Sequence, residues 1–156
     1  MMSDERTIRK AEAGDLEVVR DLTIAAYEPY TELFGAPPMP VTEDYAPRIA
    51  ADEVWLLCDG AGIIGLMVVE LHADHFLIYS IAIRPDRKGQ GNGTRLLEWV
   101  ERRARDANVK ELRLYTNSRM TRNIALYTAH GYCETGRIPI PSHPHMTRVN
   151  MAKPLS

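Results

Sequence analysis

The sequence predicts an α/β (α+β) fold built on a mixed, mostly antiparallel sheet of seven strands. Two observations carry this prediction. Three apolar runs between Val54 and Ile83 are joined by turns so short that neighbouring strands must run antiparallel. A helix-length segment then separates Ile83 from the next apolar run, Leu112–Thr116, and a crossover of that length favours a parallel pair.

The bulk composition is that of an ordinary soluble domain. The chain has 156 residues, with 19 basic and 21 acidic side chains, and we expect one domain, 1–156, with its main motifs within about 53–133. This charge balance argues against a nucleic-acid or anionic-membrane partner. The polar start and the lack of a long apolar run predict a cytoplasmic protein. Cys58 and Cys133 fall in predicted strands without metal-site spacing, so we expect reduced packing residues and no metal.

The first quarter of the chain predicts a strand at Thr7–Lys10 and then a helix opening at Gly14-Asp15. Five prolines between Tyr27 and Pro47 predict that no long element crosses this stretch, only a short second helix and a loop. Its aromatic and acidic side chains are candidates for a substrate mouth and equally for a solvated loop with buried aromatics. These are Tyr27, Tyr30, Phe34, Tyr45, Glu28, Glu32, Glu43 and Asp44.

Strands and helices alternate along the rest of the chain. Strands are predicted at Val54–Cys58, Ile63–Leu71, Phe76–Ile83, Leu112–Thr116, Tyr132–Arg137 and Met146–Ala152. Helices are predicted from about Thr94 to Asn108 and over Asn123–His130, the second ended by Gly131. A proline-rich loop, Ile138–His145, joins the last two strands.

The segment Ser80–Leu97 is typical of a strand, a glycine loop and a helix that together bind a phosphate. Thr94 stands where a dinucleotide fingerprint needs its last glycine, and no Gly-Lys-Ser/Thr follows as in a Walker loop. The spacing that remains is Lys88-x-x-Gly91-x-Gly93. A local positive cluster surrounds it, made of Arg84, Arg87, Lys88 and Arg95. The plainer alternative is a glycine-rich turn that only caps a helix.

This loop resembles the pyrophosphate loop of the GNAT superfamily of acyl-CoA-dependent N-acyltransferases, usually written Arg/Gln-x-x-Gly-x-Gly/Ala. Lys88 departs from that pattern, because lysine keeps the charge but lacks the planar fork of arginine. The order of predicted elements is also similar to that of the family. A second family motif is matched at Asn123, Ala125, Tyr127, Gly131 and Tyr132.

The resemblance implies a GNAT fold, with helices on both faces of the sheet and a splay between the fourth and fifth strands. It implies an N-acetyltransferase that moves an acetyl group from acetyl-CoA to the primary amine of a small molecule by direct attack. The coenzyme would pair with the strand Ile81-Ala82-Ile83 and with Asn123, although Asn123 could instead cap its helix. Its pyrophosphate would bind the loop, that is Lys88, Gly89, Gln90, Gly91, Asn92, Gly93 and Thr94.

For the chemistry, the resemblance makes Tyr127 both a cofactor contact and the general acid that protonates the leaving sulfur; a buried aromatic is the alternative. The family's usual glutamate base is missing from Phe76–Ile83, so Glu70 is the candidate base. His72, His75, His143 and His145 are further candidates. A non-catalytic acyl-CoA-binding domain and an enzyme for a protein or peptide amine remain alternative functions, and a homodimer is possible.

Overall fold

The structure is a computed structural model that describes residues 5–141 and 146–155. The strands are β1 (Thr7–Lys10), β2 (Val54–Asp59), β3 (Gly62–Leu71), β4 (His75–Ile83), β5 (Glu111–Asn117), β6 (Cys133–Pro139) and β7 (Thr147–Pro154). The helices are α1 (Leu16–Phe34), α2 (Met39–Thr42), α3 (Tyr45–Ala50), α4 (Asn92–Asp106) and α5 (Thr121–Ala129). Single 3₁₀ turns lie at Ala13–Asp15 and Pro85–Arg87.

The strands form one seven-stranded sheet in the order β1-β2-β3-β4-β5-β7-β6. The β4–β5 pair is parallel, and the pairs β1–β2, β2–β3, β5–β7 and β6–β7 are antiparallel. The register of β4 with β5 runs from His75–Glu111 to Ile78–Leu114 and so covers only the first part of β4. The predicted fold class, a mixed and mostly antiparallel sheet with flanking helices, is confirmed.

The chain groups into two compact units. The first contains the residues up to Val69 together with Tyr79–Leu96, and the second contains Glu70–Ile78 together with the residues from Leu97 onward. The first unit buries apolar side chains of α1, β2 and β3, and the second those of β5 and β7. The expectation of a single domain remains a prediction.

Helix α1 is longer than the sequence pattern predicts. Pro29 lies inside it, and the helix continues to Phe34 before Gly35, at φ +74°, ends it in the left-handed conformation. A proline inside a helix removes one backbone hydrogen bond, and its ring crowds the carbonyl four residues earlier, at a cost of about 3 kcal/mol. Burial of one face of α1, which includes Val19 and Tyr27, stabilises the helix enough to offset that cost. The single short helix expected beyond it is also wrong, since α2 and α3 both form.

Gly65 lets β3 and the end of β4 approach closely in the first unit. A Cβ atom at Gly65 would lie 2.8 Å from Ile83 Cδ1 and 3.2 Å from the Ala82 carbonyl oxygen. A larger residue would force the end of the Ile83 side chain to move and would crowd the Ala82 carbonyl, so glycine fits best here. The position of Ile83 at the end of β4 therefore depends on a glycine of the neighbouring strand.

In the second unit, α5 ends at Ala129, and the predicted stop signal Gly131 follows two residues later with φ +93°. Cys133 begins β6 and is exposed, so its expected packing role is wrong: every residue of the edge strand β6 except Gly136 is exposed. Cys58 is half-buried, and both thiols are free. None of the helices in the described part of the chain combines the length and apolar character needed to traverse a bilayer.

Candidate functional site

The end of β4 carries backbone groups that point away from β3. Arg84, just after β4, donates its N–H to the Ile64 carbonyl of β3 at 2.9 Å. Because antiparallel bonds of this kind recur at every second residue, Ile81 and Ile83 direct their N–H and C=O groups away from β3. The Tyr27 hydroxyl meets this edge and donates to the Ile81 carbonyl at 3.4 Å. Both isoleucines thus have the orientation that pairing with an extended ligand requires.

Strand β4 also contains one residue more than the stretch of β3 beside it. At the closed end of the hairpin the His72 N–H donates to the His75 carbonyl at 3.0 Å, and at the other end Arg84 bonds to Ile64. Between these two bonds β4 advances nine residues and β3 advances eight. An extra residue on one strand is a bulge, which redirects backbone and side chains locally.

The loop after β4 needs glycine at two positions. Gly89 has φ +75° and Gly91 has φ +78°, and a Cβ atom at either would meet nothing within 4 Å. The requirement is therefore conformational, because the left-handed region is unfavourable for other residues. The open space beside these glycines leaves room for a ligand to approach the backbone.

Helix α4 begins at Asn92, two residues earlier than predicted, so Gly93 and Thr94 belong to its first turn. The Arg95 N–H donates to the Gly91 carbonyl at 3.0 Å. In the described chain, the amides of Gly93 and Thr94 donate to no backbone carbonyl, as expected for the first turn of a helix. Such amides and the positive end of the helix dipole favour an anion.

A buried polar network fixes this loop. Asn92, 2% exposed, accepts from the Arg6 guanidinium at 3.2 Å and donates to the Arg87 carbonyl at 3.1 Å. Arg87 in turn donates to the carboxylate of Asp59 at the end of β2. The Ala61 N–H and then Arg87 hold the pKa of Asp59 below its usual value. The Asn92 side chain is thus occupied structurally, which leaves its backbone amide for the predicted ligand.

The predicted positive cluster divides into two pairs of residues. Arg84 and Arg87 are neutralised by Asp86 and Asp59, respectively. Within residues 5–141 and 146–155, the side chains of Lys88 and Arg95 form no hydrogen bond or ion pair. Lys88 and Arg95 are therefore the members of the cluster available to a phosphate.

In the second unit, α5 positions the residues of the second motif. Tyr127 is buried, and its ring lies 6.0 Å from that of Tyr132 in an edge-on arrangement. Asn123 is the third residue of α5, not its cap, because Met120 holds the cap position. Its amide donates to the Met120 sulfur at 3.8 Å. The capping alternative for Asn123 is therefore wrong.

Three candidates for the general base, Glu70, His72 and His75, lie at the β3–β4 turn of the second unit. Glu70 Oε1 lies 3.1 Å from His72 Nε2, and Asp74 Oδ1 lies 2.7 Å from His75 Nδ1. The two imidazole rings stack with their centres 4.6 Å apart. Each histidine therefore has a carboxylate partner: His72 pairs with Glu70, and His75 pairs with Asp74. His143 and His145 lie outside the described residues.

Glu43, one of the candidates for a substrate mouth, lies beside β4, a contact that the sequence did not indicate because the two segments are far apart in the chain. Tyr79 of β4 donates its hydroxyl to Glu43 Oε1 at 3.2 Å, and Arg48 of α3 donates to Glu43 Oε2 at 2.6 Å. Burial, and next the charge of Glu43, raise the pKa of Tyr79 and keep its phenol protonated. Tyr79 alone is a weak signal for this contact, because Phe76 and Ser80 also interrupt the aliphatic residues of β4.

No group of three or more His, Cys, Asp or Glu side chains within the described ranges is arranged to hold a metal ion.

Comparison with known proteins identifies the family. Residues 19–132 match the model of the acetyltransferase (GNAT) family. The chain belongs to the GNAT family. The matched range includes both motifs on which the resemblance rested, the glycine loop around Gly91 and the segment from Asn123 to Tyr132.

Similar proteins match most of the chain. The chain is 28% identical over 116 residues to the uncharacterized protein YxbD of Bacillus subtilis (strain 168), covering 74% of this chain and 70% of that protein. The ribosomal-protein-S18-alanine N-acetyltransferase of Escherichia coli aligns with a TM-score of 0.76 at 22% identity, covering 97% of this chain and 95% of its own. A GNAT family acetyltransferase of Elizabethkingia anophelis with acetyl-CoA bound aligns with a TM-score of 0.74 at 22% identity. The alignment covers 98% of this chain and 100% of that chain. At these identities the solved structures establish the GNAT fold.

Proposed function

We propose that this GNAT protein is an N-acetyltransferase that transfers the acetyl group of acetyl-CoA to the primary amine of a small molecule by direct attack. The observation that carries the proposal is the end of β4 with the loop that follows it. Ile81 and Ile83 direct their backbone N–H and C=O groups away from β3. The loop that follows contains Gly89 and Gly91 in the left-handed conformation, and it precedes the first turn of α4, whose amides donate to no backbone carbonyl in the described chain. The acetyl-CoA seen in the Elizabethkingia protein supports the choice of cosubstrate.

The coenzyme would be held mainly through the backbone. The pantetheine arm pairs with Ile81 and Ile83 as an added strand does, and Asn123 bonds the same arm. The pyrophosphate accepts hydrogen bonds from the amides of the loop and of the first turn of α4. Lys88 and Arg95 add charge, which gives the binding a dependence on ionic strength.

In the reaction the amine nitrogen attacks the thioester carbon, and the carbon–sulfur bond then breaks. A backbone N–H of β4 stabilises the oxygen that becomes negative during attack. Tyr127 donates its phenolic proton to the departing sulfur as the general acid. No metal ion takes part in this scheme.

The amine must lose a proton, because an alkylamine with a pKa of about 10.4 is charged at neutral pH. Glu70 remains the proposed base, now as a pair with His72. Replacement by glutamine tests it, since Glu70→Gln should lower kcat and leave acetyl-CoA affinity unchanged. Unchanged kcat would remove Glu70 from the mechanism.

The function is tested by following release of free CoA from acetyl-CoA with a panel of small primary amines, with acetylated product identified by mass spectrometry. Amine-dependent release with matching product supports the proposal. Binding of acetyl-CoA without release on any amine would favour a non-catalytic acyl-CoA-binding domain. Acetylation of peptide amines alone would move the acceptor class to proteins. A cytoplasmic location and a homodimer remain predictions.

A further inference from the structure

The first unit contains a polar cluster beside β4 that cofactor binding does not use. It consists of Glu43, between α2 and α3, Arg48 of α3, Glu53 before β2, and Tyr79 of β4. Arg48 donates to Glu43 at 2.6 Å and to Glu53 at 3.0 Å, and its guanidinium lies 3.9 Å from the centre of the Tyr79 ring. The side chains of Glu43, Arg48 and Glu53 are 15–26% exposed, so a molecule arriving from solvent can reach them.

The charges of this cluster do not cancel. Two carboxylates share one guanidinium, which leaves one negative charge in a largely desolvated place. Each oxygen of Glu43 accepts one hydrogen bond, from Arg48 or from Tyr79, and a carboxylate oxygen has the capacity for a second. Glu43 is therefore held in place and can still accept a bond from a cation.

Ser80 lies beside the cluster, against Tyr45 of α3, and is 4% exposed. Burial raises the pKa of Tyr45 to about 12, and contact of the Tyr45 hydroxyl with Ser80 is a smaller effect that lowers this pKa. The charge of Glu43 acts on the same phenol. Tyr45 and Ser80 therefore form the buried side of the cluster.

Tyr79 and Ser80 are consecutive, yet both side chains reach the α2–α3 segment. Neighbours in a regular strand point to opposite faces, so this arrangement indicates that the bulge of β4 lies here. A bulge next to Ile81 turns the Tyr79 ring, with its partner Glu43, and the Ser80 hydroxyl toward the same segment. Ile81 is two residues from Tyr79, about 7 Å along the strand.

We propose that Glu43, positioned by Tyr79 and Arg48, binds the acceptor as an alkylammonium ion. This inference rests on the proposed function, because the position of the thioester beside Ile81 comes from there. The acceptor class is a primary alkylamine that is charged at neutral pH. Glu43 selects the acceptor and holds it near the thioester; it is a specificity residue.

The test compares amines with alcohols of the same shape on the full chain. Butylamine, 1,4-diaminobutane and benzylamine, and their alcohol counterparts 1-butanol, 1,4-butanediol and benzyl alcohol, are titrated calorimetrically at pH 7 in the presence of CoA. We expect at least one amine to bind tenfold or more tightly than its alcohol. Glu43→Gln should abolish that preference. Equal affinities for all three pairs, or no binding of any amine, would overturn the inference.

Asp44→Asn is the matched control. Asp44 is the exposed neighbour of Glu43, and its side chain accepts from the Ala46 N–H at the start of α3, a role that asparagine fills equally well. This variant removes the same charge and should keep the preference for the amine; an equal loss in both variants would also overturn the inference.

Titration of the same proteins with acetyl-CoA separates this inference from the proposed function. Acetyl-CoA affinity should be the same in the wild type, Glu43→Gln and Asp44→Asn. Normal acetyl-CoA binding without a preference for amines would overturn the acceptor site alone. A preference for amines without acetyl-CoA binding would support the acceptor site and count against the proposed function.

Discussion

At the scale of single residues, Gly91 joins backbone conformation to ligand binding. Replacement by alanine at φ +78° costs roughly 1–2 kcal/mol of strain. We expect Gly91→Ala to weaken acetyl-CoA binding about tenfold in a calorimetric titration. Gly60→Ala is the control, because Gly60 also faces open space but lacks a positive φ. Equal affinity of the two variants would contradict the role of the loop.

Tyr127 and Tyr132 allow a matched pair of tyrosine substitutions. Tyr127→Phe should lower kcat at least tenfold and leave acetyl-CoA affinity nearly intact, since only the proton donor is lost. Steady-state kinetics and a binding titration measure the two effects. An unchanged kcat would exclude Tyr127 as the acid.

Tyr132→Phe should act on stability instead. The Tyr132 hydroxyl is buried without a hydrogen-bond partner in the described chain, and burial raises its pKa. Removing it deletes an unsatisfied group, so the free energy of unfolding should rise by about 1 kcal/mol. Urea unfolding checks this, and a loss of stability would show that the hydroxyl makes a favourable interaction.

At the scale of elements, the glycine loop depends on a contact from β2. Asp59 holds Arg87, and Arg87 offers its carbonyl to Asn92 at the start of α4. We expect Asp59→Asn to weaken acetyl-CoA binding several-fold although Asp59 does not contact the coenzyme. The control is Asp86→Asn, since the exposed Asp86 bonds to Arg84 rather than to Asn92 or the Arg87 side chain.

The same carboxylate gives a dependence of stability on pH. The folded pKa of Asp59 lies below 3.8, so its stabilising effect is complete above about pH 4 and is lost as pH falls through the folded pKa. The difference in unfolding free energy between the wild type and Asp59→Asn should therefore shrink below pH 3.8. A difference that stays constant from pH 6 to pH 3 would contradict the ion pair.

Local sequence patterns predicted those helices and strands whose ends are marked by a single strong signal, such as a short turn or a glycine. Short turns predicted the antiparallel hairpins, and Gly131 was the signal that predicted the end of α5. Proline was a misleading signal at Pro29, because burial of one face of α1 outweighs the missing hydrogen bond and the crowding by the ring. The chain could not reveal that β7 lies between β5 and β6, since that order depends on long-range pairing.

At the scale of the whole molecule, the GNAT family followed from two motifs in the right order, at Lys88–Gly93 and Asn123–Tyr132. Glu43 was only one of several candidates for a substrate mouth, because it lies 36 positions from Tyr79 and neither residue belongs to those motifs. Sequence motifs therefore predicted the cofactor loop, whereas tertiary contacts were needed to single out Glu43 among the candidates for the acceptor site.

The central claim is that the glycine loop and the end of β4 bind acetyl-CoA. Calorimetric titration of the full chain with acetyl-CoA, and separately with NAD and ATP, tests it most directly. We predict one site with micromolar affinity for acetyl-CoA, about −8 kcal/mol, and far weaker binding of the two nucleotides. Absence of acetyl-CoA binding by folded protein would contradict the account and leave the loop as a helix cap.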